Sequence, residues 1–280
     1  MTIAVPTGID KGRIGKEQVG RQRRFGAVNW LGLFTLGRRE ASRGLKDYHY
    51  QIFGPVISSL LYLAVFHLAI RTTTNGGSNA ELLNFIAPGL IIFVACEKSF
   101  ENVCFSFIFD KHERIMSDLL MAPLTSLERI GGYLAGACLS GFAVGLAVAL
   151  VSLLFADLTL AQPLAVIFFV LMGTVMHGLI GILVGIWAEK WDSYAVVHTF
   201  LLLPLSFLSG LFYRVDHLPA LAQDLVRLNP VFYVIDGFRF GMTGEASANP
   251  WIGVAVLLAV NAMLFALAYA WFRRGYRLKP

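Results

Sequence analysis

Apolar residues in this chain come in long runs, without the alternation of strands or the narrow stripes of soluble helices. A helix needs about 20 mostly apolar residues to cross a ~30 Å hydrocarbon layer. Six stretches meet that length: Ile52 to Ile70, Leu82 to Phe109, Ile130 to Phe155, Leu164 to Trp187, Tyr194 to Phe212 and Trp251 to Phe272. The pattern predicts an all-α integral membrane protein with six transmembrane helices over residues 52–272. Glu97, Lys98 and Glu101 interrupt the second stretch. Its 28 residues would extend about 42 Å as a helix, so it is expected to project past the membrane on one side.

Two further features sit outside these runs. Val28 to Leu36 is apolar but only nine residues long, too short to cross, and Arg38, Arg39 and Arg43 follow it. Within a basic tail over residues 1–51, this fits an interfacial helix lying on the inner leaflet, the alternative being an ordinary tail. Between the fifth and sixth stretches lies an outer loop, about residues 213–249. Leu218, Leu221, Leu225 and Leu228 fall at helical spacing there, Asn229-Pro230 breaks the run, and Val231, Phe232, Val234, Ile235 and Phe238 follow. Two short re-entrant helices dipping into the outer face are expected.

Composition agrees: the chain is 56% hydrophobic and 15% charged, against roughly 45–50% and 25% in soluble domains. That excludes a disordered chain, which needs the opposite bias. The first long apolar run begins at Ile52, too late for a cleavable signal peptide. With the first residues inside, the inner segments hold eighteen Lys and Arg and the outer loops four, Lys98 completing the 23. This bias predicts both termini cytoplasmic, residues 273–280 forming a second basic tail. The net charge of +5 therefore reads as topology; no nucleic-acid partner is expected, because the basic residues abut the spans.

The chemistry of a self-contained enzyme is missing. No G-x-x-x-x-G-K-[ST] phosphate loop, H-E-x-x-H or G-x-S-x-G occurs. Cys96, Cys104 and Cys138 have neither disulfide nor zinc spacing. No catalytic, cofactor-binding or metal-binding residue is expected. Gly132/Gly136, Gly141/Gly145 and Gly181/Gly185 form three G-x-x-x-G pairs, which let helix backbones approach closely, most simply within one chain. His177 reads as a hydrogen-bonded packing residue. Glu97, Lys98 and Glu101 share one helix face and are costly in lipid. Either they pair to hold helices together, or they line a translocation path or gate.

One segment is more specific. Phe109-Asp110-Lys111-His112-Glu113-Arg114-Ile115-Met116-Ser117-Asp118-Leu119-Leu120-Met121-Ala122-Pro123 is charged, short and helix-like, and lies on the inside between two spans. It resembles the segment after the second span in ABC-2 type exporter permeases. Ala87-Pro88-Gly89-Leu90, Phe207-Leu208-Ser209-Gly210-Leu211-Phe212-Tyr213, and Asn229-Pro230 with Asp236-Gly237-Phe238-Arg239 match in order, from about Asn29 to the end. Within the family the chain is most similar to the nodulation-factor and polysaccharide exporters.

The resemblance implies a type V exporter-like fold and a half-transporter in the bacterial inner membrane. It would pair with a second copy of itself and two copies of a separate ATP-binding-cassette ATPase, which would hold the ATP and Mg. Residues 110–122 would be the coupling helix. Lys111, Glu113, Arg114 and Asp118 would then make polar contact with the ATPase, and Ile115, Met116, Leu119 and Leu120 would be its apolar anchors. The alternatives are an ion-gradient-driven transporter or channel using Glu97, Lys98 and Glu101, and a membrane scaffold that transports nothing. The substrate, whether glycan, lipid or drug, is not legible in the residues.

Overall fold

The computed structural model describes residues 28–46, 51–73 and 79–277. These residues are all-helical. In chain order the helices are α1 (Trp30–Lys46), α2 (Phe53–Thr73), α3 (Asn79–His112), α4 (Ile115–Met121), α5 (Ser126–Ser152), α6 (Pro163–Trp187) and α7 (Trp191–Val197). A π-helical turn (His198–Leu202) leads into α8 (Leu203–Phe207). A 3₁₀ turn (Val215–His217), α9 (Ala220–Arg227), α10 (Pro230–Thr243) and α11 (Pro250–Arg274) complete the chain.

Local sequence sets these boundaries. Helices α6, α10 and α11 open on proline, whose missing N–H costs nothing in a first turn. Asn229 and Asn249 cap the latter two, accepting from Val231 N and Trp251 N. Gly244 (φ 82°) and Gly275 (φ 64°) close them in the left-handed conformation that glycine tolerates. Thr125 and Glu128 form a reciprocal capping box at the start of α5.

Helices α3, α5 and α6 pack against one another as the centre of the bundle, α10 wedges between α3, α6 and α11, and α1 lies along α5. The glycine pairs make these approaches possible within one chain. A Cβ on Gly141 would lie 2.6 Å from Ala95 O on α3, and one on Gly181 2.7 Å from Phe100 O. Gly132 and Gly136 seat α1 in place of a neighbouring span: their Cβ positions fall 2.7 Å from Leu36 and 2.3 Å from Glu40. His177 is buried with Nδ1 2.9 Å from Gly173 O, a packing role.

Among the described residues, four helices are long and apolar enough to cross a membrane: Glu81–His112, Ser126–Ser152, Pro163–Trp187 and Pro250–Arg274. The first predicted stretch lies on the shorter apolar run Phe53–Ala69. The fifth, expected from Tyr194 to Phe212, is not one regular helix. The π turn interrupts it, and the helix ends at Phe207 before a turn at Gly210 (φ 72°). Helix α3, with 34 residues, reaches about 51 Å. In the 213–249 loop, α9 turns Leu221, Leu225 and Leu228 outward, whereas α10 is buried along nearly its whole length. The first 27 residues of the basic tail lie outside the described residues.

Candidate functional site

At one end of the bundle, α1, α4 and the first turn of α5 are tied into a platform by polar contacts. Glu128 accepts from Thr125 N (2.7 Å) through one carboxylate oxygen and from Asn29 N (2.6 Å) through the other. Asn29 in turn caps α1, accepting from Gly32 N (2.9 Å), and its amide donates to Pro123 O (3.1 Å). The Arg129 guanidinium donates to Leu120 O (3.0 Å) and Ala122 O (3.3 Å), finishing α4. The loop joining α4 to α5 and the start of α1 thus share one network.

The residues expected to contact a partner divide between the faces of this platform. Helix α3 ends at His112, and Arg114 adopts a left-handed conformation (φ 59°) that turns the chain into α4. Glu113 and Arg114 are exposed, as are Asp118 and Met121. Ile115 and Leu120 are half-buried. Met116 and Leu119, expected as outward anchors, are instead buried in a cluster with Leu36, Phe107, Ile130 and Tyr133. Lys111 also points inward. Its ammonium donates to Gly185 O (2.9 Å), Ile186 O and Ala188 O (3.0 Å), capping the C-terminus of α6. An amphipathic stripe must bury one face somewhere, and here the bundle itself takes it.

Beside this platform lies an ionic cluster. Asp110, fully buried, accepts from Arg43 Nη2 (2.9 Å), from Arg39 Nη2 and from the Tyr133 hydroxyl (3.5 Å). Arg43 also donates to Ser106 Oγ (2.5 Å) and lies 5.2 Å over the Phe109 ring. Glu40, buried, sits 3.5 Å from Arg39 Nε and 3.9 Å from Arg43 Nη1. Burial pushes its carboxyl above the usual carboxylate range, against the pull of both arginines. Arg39 and Arg43, which count as topology signals in the sequence, also bolt α1 to the end of α3. The capping box Thr125-x-x-Glu128 ahead of an apolar run is a sequence signal for this platform. Asp110 carries no such signal.

Glu97, Lys98 and Glu101, in the middle of α3, fall into two pairs. Lys98 donates to Glu101 Oε2 at 3.0 Å. Glu97 hydrogen-bonds through Oε2 to Nε2 of His198 in the π turn. The His198 ring stacks with Phe100 and Tyr194, at 6.2 and 5.6 Å between centroids. Lys98 is buried, while Glu97 and Glu101 are partly exposed. Lys98, Glu101, Phe105 and Phe109 line a groove of about 730 Å³, completed by Arg43, Trp191 and the chain just before and within α2.

At the opposite end, the Asn-Pro and Asp-Gly-Phe-Arg sequence is architectural. Asn229 donates to Leu205 O and Ser209 Oγ, both at 2.6 Å. Asp236 accepts from Ser247 N (2.9 Å) and Ala248 N (3.0 Å), and a Cβ on Gly237 would strike the Phe169 ring at 2.2 Å. Arg239, buried, donates to Phe85 O (3.2 Å) and Gly210 O (3.1 Å), with its guanidinium 3.7 Å over the Phe85 ring.

Comparison with known proteins agrees with this architecture. The model of the ABC-2 type transporter family matches residues 32–243. Inner membrane transport permease YadH of Escherichia coli K12 is 30% identical over 250 residues, covering 89% of this chain and 98% of that protein. Nodulation protein J of Rhizobium leguminosarum bv. viciae is 25% identical over 253 residues, covering 89% and 95%. The probable multidrug ABC transporter permease YbhR of Escherichia coli K12 is 23% identical over 210 residues, covering 74% of this chain and 56% of that one.

Proposed function

The chain belongs to the ABC-2 type transporter family, and from that membership we propose that it is the permease of an ATP-binding-cassette exporter in a bacterial inner membrane. Proteins of this family are membrane subunits and are not themselves catalytic. In the proposed assembly two copies of this chain pair with two copies of a separate ATPase, which binds ATP and Mg. Both termini are cytoplasmic, and six segments cross, α2 and the interrupted α7–α8 run serving as the first and fifth.

The observation that carries this reading is the platform at the α4 end. A short helix is held rigidly between two long ones, its inner face is fused to the core, and its outer face offers Glu113, Arg114, Asp118 and Met121. A push there reaches α3 and α5 directly, and reaches α1 through Glu128 and Asp110. The ion-gradient alternative would use the same residues, of which Glu97 pairs with His198 and Lys98 with Glu101.

Affinity purification of the tagged chain from native membranes tests the proposal. An ATP-binding-cassette subunit should co-purify in equal amount, and a cysteine at Asp118 or Met121 should cross-link to it. Recovery without any ATPase, with transport following an imposed proton gradient, would overturn the assignment.

A further inference from the structure

Glu40, on the face of α1 turned to α5, is a buried acid with no donor to hold its charge. Its side chain is 1% exposed, and among the described residues neither carboxyl oxygen receives a hydrogen bond. An ionised carboxylate only accepts, and out of water it demands N–H or O–H donors. The groups that face it are Arg39 and Arg43 from α1 itself, Ser106 and Asp110 from α3, and Tyr133 from α5. Their donors are committed elsewhere. Both guanidinium groups and the Tyr133 hydroxyl donate to Asp110. The arginines approach Glu40 only to 3.5 and 3.9 Å, without bonding it. Asp110 adds a second carboxylate to the same buried space. Water has no way in while α1 stays seated, because a Cβ on Gly136 would fall 2.3 Å from that of Glu40.

A proton resolves the conflict. A neutral carboxyl brings its own O–H donor and leaves Asp110 as the one negative charge. The surplus positive charge then rests on Arg39 and Arg43, whose side chains are 30% and 29% exposed and meet water. We propose that Glu40 carries a proton while α1 is docked and releases it to solvent when α1 lifts away, so that the contact is a proton-linked latch. The docked state binds the proton more tightly than the released state, so docking is strongest in acid. It weakens as pH rises from the ordinary glutamate value of about 4.3 to the higher docked value, by up to about tenfold in the opening equilibrium per pH unit, and is level above it. An ordinary ion pair with the arginines would act in the opposite sense, docking failing as pH falls. The proton is a property of this chain alone; that the latch senses cytoplasmic pH rests on the topology of the permease reading.

Two measurements on the purified full chain test this. In infrared spectra, the carbonyl band of a protonated carboxyl should persist about one pH unit or more above the ordinary glutamate value and be missing from Glu40→Gln. In parallel, a neutral methanethiosulfonate reagent labels Ala41→Cys, buried on α1, and the rate for Ser42→Cys, exposed on the same helix, is divided out to remove the thiol's own titration. The corrected rate should rise about threefold or more between about pH 5 and about pH 8. In the Glu40→Gln background, where the side chain is neutral and keeps a donor, it should stay low and level. A rate that falls as pH rises, or the same band in parent and Glu40→Gln, would overturn the proposal. So would loss of monodisperse Glu40→Gln protein, the result expected of a required ion pair. No ATPase enters either measurement, so failure of the permease reading would leave the latch standing, and the reverse.

Discussion

Replacing Asp110 with asparagine removes the charge, and one of the two acceptor oxygens, that join α1 to the end of α3. The carboxylate is fully buried and takes charge-assisted hydrogen bonds from both Arg39 and Arg43. Such bonds contribute about 1.5–3 kcal/mol each, so the two together contribute about 3–6 kcal/mol, of which asparagine keeps one neutral bond. Part is recovered. The Arg39 and Arg43 side chains are 30% and 29% exposed and can rehydrate, and Arg43 keeps Ser106 and the Phe109 ring. The net destabilisation of the α1 attachment is then about 2–3 kcal/mol, or roughly 30- to 150-fold in its opening equilibrium. A cysteine at Ala41, buried on α1, reports that opening through its maleimide labelling rate above the native-thiol background. Asp110→Asn should raise the rate by that factor. Arg43→Gln should raise it in the parent and add much less in the Asp110→Asn background, because the two share one interaction. A rise below about threefold, or full additivity of the two changes, would refute the assignment of Asp110 as the link.

Met116→Asp should misassemble the protein, since it buries a charge among Leu36, Phe107 and Tyr133 at a cost of several kcal/mol; loss of monodisperse protein on size exclusion checks this. Asp118→Arg with Met121→Ser should leave the fold intact and weaken ATPase retention, the two outcomes separating the faces of α4. Lys111→Met should lower thermal stability by about 1.5–3 kcal/mol, because three carbonyls at the end of α6 lose their ammonium; an unchanged melting temperature would contradict that cap. Gly136→Val should push α1 off α5, its Cβ falling 2.3 Å from that of Glu40, at about 1–3 kcal/mol, and should raise Ala41→Cys labelling as Asp110→Asn does.

The long apolar stretches were legible because a span must be apolar over its whole length, a demand written into composition. The break in the fifth stretch was not. His198 to Leu202 is as apolar as its flanks apart from His198 and Thr199, and nothing in composition marks a change of hydrogen-bond partner. The glycine pairs announced close packing, but Gly132 and Gly136 gave no sign that their neighbour would be a helix from the basic tail. The pattern over residues 115–120 showed which side chains share a face; it did not say that Met116 and Leu119 address the permease's own core. Asp110 was the least readable. Its partners stand 67 and 71 residues away, and one acid beside a span boundary resembles any solvated charge until α1 folds back over it.

The wide turn at residues 198–202 has an evolutionary and mechanical consequence. Its closing bond runs from Leu203 N to His198 O, spanning five residues where a regular helix spans four. That surplus residue shifts the facing of everything downstream by about one position, or roughly 100° of arc. Ser206, Ser209 and the contact of Leu205 with Asn229 therefore sit where they do only because the count is one too many. Losing a single residue between Thr199 and Leu202 would straighten the segment and swing those groups away, a more drastic lesion than any substitution there. Alignment of this chain with relatives that keep a regular helix should place a one-residue gap at this turn, marking it as an insertion that the fold has absorbed.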